Sequence, residues 1–118
     1  MKGEIEVLVK KQHFDNKEYV YYYKLLKNDI YLSYEYDNIK LQSYGIEIER
    51  QDFKGKNMIN IEKDKIKNIS PYRYKVHNLL KMLYENSVSP IHLIDIVSNY
   101  VDEYVFDYDY VSKNVSHI

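Results

Sequence analysis

Residues 18–37, EYVYYYKLLKNDIYLSYEYD, decide how the first half of this chain is read. Aromatic and β-branched residues crowd both sides of Asn28-Asp29. Such residues favour strands because they pack well on a pleated surface. Asn and Asp tolerate the positive φ of a tight turn, so the pair predicts a two-residue hairpin. In that register Leu25 faces Leu32, Tyr23 faces Tyr34 and Tyr21 faces Tyr36 on one side. Leu26 with Tyr31, Lys24 with Ser33 and Tyr22 with Glu35 fall on the other. One register separates apolar pairs from mixed ones, as a sheet with one solvated face requires. Tyr21 and Tyr23 therefore belong to the core, and Tyr22 points outward beside Tyr31 and Val20.

Outward from this stretch the same period continues. Ile5, Val7 and Val9 alternate with Glu4, Glu6, Leu8 and Lys10, which reads as a half-buried strand with the first set inward. HFDNK (13–17) is a turn. Two more strands are expected at 41–50 (LQSYGIEIER) and 57–63 (NMINIEK), the second with Ile59 and Ile61 at period two. Gly45 inside the first marks a bulge or a close backbone approach, and Gly55 belongs to the connecting loop. The expectation is an antiparallel meander of about five strands over residues 4–63.

The second half changes period. Ser70-Pro71 and Ser89-Pro90 each place a capping residue before proline at the first helical position, where its missing N–H costs nothing. Each has an apolar residue before the cap and another five positions on, Ile69 with Tyr74 and Val88 with Leu93, the spacing of a hydrophobic staple. A first helix over about 71–86 presents Val76, Leu79, Leu80 and Leu83, with Asn86 closing it. A second over about 90–105 has two apolar stripes: Ile91, Ile94, Val97, Val101 and Tyr104, and Leu93, Ile96 and Tyr100. That arc is wider than an amphipathic surface helix needs. Residues 106–118 read as an acidic, polar tail that frays at its end. The fold class is α+β, a single domain over 1–118 whose C-terminal helical hairpin, about 71–105, packs on one face of the meander.

Composition removes several classes of function. The chain has 118 residues, no cysteine and only three glycines, so neither a disulfide framework nor a Cys-based zinc site is available. A glycine-rich phosphate loop is equally out of reach. No apolar run approaches the roughly 18 residues of a membrane span. The N-terminus lacks the apolar core of a signal peptide, so a cytoplasmic location without membrane contact is expected. Lys, Asn, Ile and Tyr, abundant here, share AT-rich codons, which accounts for part of the 15 tyrosines. Net charge is −1, but residues 54–75 carry 7 basic and 2 acidic side chains, and residues 76–118 carry 2 basic and 6 acidic.

Three functional readings follow. His92 and Asp95, three apart on a helix, share a face and fit a metal pair or an acid–base pair. A third group is missing, so catalysis, a cofactor and a metal are not expected, and a His/Asp-dependent enzyme ranks last. Nucleic acid ranks second: Lys54, Lys56, Lys63, Lys65, Lys67 and Arg73 concentrate positive charge, and outward Tyr22 and Tyr31 could stack the bases of RNA or a single strand. The second helix begins apolar and acidic, which argues against reading duplex DNA. Protein contact ranks first, through the surplus apolar surface of the second helix. There His92, Asp95, Asn99, Asp102 and Glu103 frame Ile96 and Tyr100, a patch that a protein partner or a second copy in a homodimer would cover.

YGIEIER (44–50) and NISPYRYKVHNLLKMLYENSVSPIHLIDIVSNYV (68–101), above all VSPIHLIDI, resemble a family of small uncharacterised clostridial proteins classed as a domain of unknown function; YYYKLL (21–26) fits its N-terminal half. The resemblance implies a cytoplasmic bacterial protein with no catalytic residue to carry over. It also brings a regulatory role, in sporulation or another change of cell state, within expectation.

Overall fold

The computed structural model describes residues 3–116. One antiparallel sheet takes its strands in chain order, β1 (Gly3–Phe14), β2 (Lys17–Tyr34), β3 (Asp37–Lys54) and β4 (Asn57–Ser70). Helix α1 (Arg73–Glu85) follows, then a 3-10 turn (Pro90–His92) that leads into α2 (Leu93–Ser116). The meander is real, but it has four strands where about five were expected.

The difference lies at Asn28-Asp29. There is no hairpin there: β2 runs straight through and pairs with β3 in one unbroken register from Lys17↔Lys54 to Tyr34↔Asp37. The turn is at Glu35-Tyr36 instead. Tertiary contacts have overridden turn chemistry. Asn28 is buried and donates its side-chain amide to the Lys67 carbonyl at 3.0 Å, and Asp29 lies 3.7 Å from Lys40 on the neighbouring strand. The expected cross-strand pairs are therefore replaced: Tyr23 faces Ile48, Leu25 faces Ile46, and Tyr22 faces Glu49. The turns at Asp15-Asn16 and Gly55-Lys56 fall where the sequence put them.

Each of the three loops has two residues, and the first of each adopts left-handed φ: 55° at Asp15, 57° at Glu35 and 63° at Gly55. Gly45 serves a different need. Where β4 leaves the sheet its register slips between Tyr44↔Ser70 and Ile46↔Ile66, and its backbone crosses directly over Gly45. This is the close approach that a glycine inside a strand implied.

In β1 the inward parity is reversed. Pairing slips between Glu4 and Glu6, a bulge that leaves Ile5 unpaired and turns the following residues over. Leu8 thus packs with Ile5 against the core, while Val7 and Val9 are exposed. Tyr21 and Tyr23 are buried as expected, but Val20, expected outside, is buried too.

The core joins Tyr21, Tyr23, Leu25, Ile46 and Ile48 of the sheet to Val76, Leu79, Leu80 and Leu83 of α1, and to Leu93 and Val97 of α2. Full burial of one such side chain stabilises by about 1.5–3 kcal/mol, so this face fixes where the helices lie. The Tyr23 hydroxyl is not stranded: it donates to the Val88 carbonyl at 3.0 Å.

Helix α1 starts later than the Ser-Pro signal. Tyr72 is its N-terminal cap, and Ser70 serves the turn before it, its Oγ accepting the Tyr72 N–H at 3.1 Å. The helix ends at Asn86, as expected. Ser87 takes φ 51°, and the Val88 N–H returns to the Leu83 carbonyl at 3.1 Å, the Schellman arrangement. Lys10 reaches from β1 to the Tyr84 carbonyl and to Ser87 Oγ, bringing a cation to the negative end of the helix.

Pro90 opens the 3-10 turn, not the α-helix itself. The residues read as a polar tail from 106 onward are helical through Ser116; the expectation that the tail frays falls on 117–118, which lie outside the described residues. Past Tyr44, where β4 has gone, the second half of α2 comes beside β3, and the Tyr108 and Ser43 hydroxyls meet at 2.6 Å.

Candidate interaction surface on the C-terminal helix

Leu93 and Val97 are fully buried, and Tyr100, Val101 and Tyr104 are half-buried against the core. Spaced three and four apart, they form one side of α2. This side cuts between the two stripes expected from the sequence, and it leaves Ile91, Ile94 and Ile96 exposed.

The opposite side carries Asp95, Asn99, Asp102, Phe106 and Asp109. Toward α1 it is bordered by Ile96, Glu103 and Tyr110. Phe106 is 70% exposed, Tyr110 65% and Ile96 38%.

These apolar groups stand on a firmly held turn. Asp107 accepts Lys75 Nζ at 2.9 and 3.1 Å and Ser70 Oγ at 3.1 Å. Its hydrogen bonds hold the Lys75 pKa above the ordinary lysine value. Lys75 Nζ also lies 4.8 Å from the centre of the Tyr104 ring, within cation–π range. Tyr108 is anchored to Ser43, and burial raises its hydroxyl pKa. Phe106 is thus displayed immediately before two residues that clamp α2 to the rest of the molecule.

Of the residues singled out for protein contact, His92, Asp95, Ile96, Asn99, Asp102 and Glu103 are exposed. Tyr100 is half-buried, with its hydroxyl 3.9 Å from Met82 Sδ. Phe106 and Tyr110 were missed because residues 106–118 read as tail. The signal was present: Tyr100, Tyr104 and Tyr108 continue the inward side at intervals of four, which no tail requires. His92 ends the 3-10 turn while Asp95 sits in the first turn of α2. Among the described residues no group of three or more His, Asp or Glu is placed to hold a metal ion.

The basic residues do not form one platform with both tyrosines: Lys63 and Lys65 share the sheet face of Tyr22, across Glu49 and Glu47, and Tyr31 does not. Lys54, Lys56, Lys63, Lys65, Lys67 and Arg73 are all exposed, but Lys63 stands opposite Glu49 and Lys65 opposite Glu47. Arg73 is paired with Glu6 at 3.2 Å. Tyr22 and Tyr31 are nine residues apart on one unbroken strand, about 30 Å, and their parity puts them on opposite sides. The grouping of these two outward tyrosines is therefore corrected.

On the sheet face away from the helices, Lys24 lies within 3.1–3.3 Å of Glu4, Glu47 and Glu49. Burial opposes its charge, but the hydrogen bonds to Glu49, Glu4 and Glu47 outweigh burial and hold its pKa above the ordinary lysine value. Glu49 is held below the ordinary carboxylate range by the Gln51 amide at 2.7 Å and by Lys24. At the turn end of the sheet, Gln12, His13, Phe14, Tyr19, Tyr21 and Arg50 line an open groove of about 590 Å³. The Arg50 guanidinium there is already bound to Asp52 at 2.8 and 3.1 Å and to Glu62 at 3.2 Å.

A four-stranded antiparallel sheet with C-terminal helices and an exposed, acidic and aromatic helix face defines an α+β protein. The chain belongs to the family of unknown function DUF6514, whose profile matches residues 2–103. No curated protein and no solved structure matches it. No helix among the described residues is long and apolar enough to cross a membrane.

Proposed function

We propose that this chain works by contact, holding another protein against the outer face of α2, as a non-enzymatic regulator. The observation that carries the proposal is the display of Phe106 and Tyr110, largely exposed, from a turn clamped by Asp107 and Tyr108. Large aromatic side chains on a rigid support, ringed by polar groups, are what anchors protein interfaces. Ile96, Asn99 and Glu103 extend the face toward the start of the helix, and His92 and Asp95 border it there. The setting of the proposal is the bacterial cytoplasm, and the regulated process a change of cell state such as sporulation.

The test is crosslinked, nuclease-treated capture from the native host with the wild-type chain and with a Phe106→Ser, Tyr110→Ser variant. Both positions are exposed, so the variant should melt within a few degrees of the wild type. A protein captured by the wild type and lost with the variant supports the proposal. Capture that ignores the two substitutions, or that disappears with nuclease, sinks it, the second outcome in favour of nucleic acid.

A further inference from the structure

Resting on that reading of α2, we infer that the partner presents a basic amphipathic helix, an apolar stripe flanked by Lys or Arg, to the outer face of α2. Three observations lead there. The first is spacing. Ile96, Asn99, Glu103, Phe106 and Tyr110 follow one another at intervals of three and four along α2. They form a ridge about 21 Å long, and a ridge of this kind packs against the side chains of another helix.

The second is charge. Helix α2 holds five acidic residues and one lysine. Asp107 is matched by Lys75. The other acidic residues near Phe106 and Tyr110, namely Asp102, Glu103 and Asp109, form no ion pair among the described residues. A partner that covers the two aromatics without bringing cations would leave carboxylates facing apolar or acidic surface, which is costly. Cations at its flanks meet them instead and also speed encounter.

The third weighs against a copy paired on itself about Phe106 and against polyanions. An antiparallel second copy centred on Phe106 would set Glu103 against Asp109 twice, and a parallel copy would set each acid against its own duplicate. Like charges so placed are unfavourable. Nucleic acid and an anionic lipid surface meet the same repulsion, so neither suits this face.

The test is selection from a displayed library of helical peptides with one fixed four-turn apolar stripe and flanking positions drawn from Lys, Glu and Gln. The bait is the full chain at physiological salt. Lys should be enriched over Glu at the flanks by at least about tenfold, one charge-pair's worth of discrimination. The preference should invert on Asp102→Lys, Glu103→Lys bait, and binding should fall on Phe106→Ser, Tyr110→Ser bait. Neutral or acidic flanks, still lost with the aromatic substitutions, would overturn the basic partner and leave the docking face standing. Peptides indifferent to both sets of substitutions would overturn the face itself. No enrichment at all would overturn the helical partner.

Discussion

A methyl group added at Gly45 would lie 2.1 Å from the Ile66 carbonyl oxygen and 2.2 Å from that of Lys67. Both are backbone atoms, so relief requires moving β4 and giving up the bond from Asn28 to Lys67. Gly45→Ala should therefore cost about 3 kcal/mol or more, read as a fall in the urea midpoint or as insoluble protein; an unchanged midpoint would contradict the crossing. Glu35 is the opposite case. It holds φ 57° without the freedom of glycine, and left-handed backbone costs an L-residue about 1–2 kcal/mol. Part of that is offset in the unfolded chain, so Glu35→Gly should stabilise by about 0.5–1 kcal/mol in the same titration.

Among the elements, the β2–β3 ribbon was the part least legible in the sequence. Alternation gave the right period and placed Tyr21 and Tyr23 in the core. The turn was misplaced because Asn28-Asp29 has the stronger local chemistry, while Glu35-Tyr36 has almost none. What decides between them is the Lys67 carbonyl, 39 residues from Asn28 along the chain, and no local pattern contains it. Helix α1 was readable because all four of its inward residues obey one period. For α2 the arc was visible but not which part of it the sheet would take, and the charged spacing of 102–109 hid the helix beyond 105. The central strands carry a prediction of their own. Glu49 has a lowered pKa in the folded state. It therefore contributes stability that is complete above its ordinary value of 4.5 and is lost as pH falls through the lowered one. Glu49→Gln should flatten the decline of melting temperature below about pH 4.5 relative to wild type; parallel declines would contradict it.

At the scale of the molecule the shape is long. The radius of gyration is 16.9 Å and the extents are 59 × 25 × 18 Å, whereas a compact chain of this length would have a radius of about 13.5 Å. Two 18-residue strands set the long axis, since 18 residues of strand span about 60 Å. Small-angle scattering of the monomer should return a radius near 17 Å and a maximum dimension of at least about 60 Å; a radius near 14 Å would mean that the ribbon folds back. The order of the strands also governs how the chain reaches this shape. Every strand pairs with its neighbour in sequence through a two-residue loop, so the sheet can zip from one hairpin to the next without closing a long loop. The step expected to come late is the one that brings distant segments together, Lys10 to the end of α1 and Asp107 to Ser70 and Lys75. In stopped-flow experiments Leu25→Ala should chiefly slow folding, and Asp107→Asn should chiefly speed unfolding; the reverse assignment would mean that the helices, and not the ribbon, nucleate the fold.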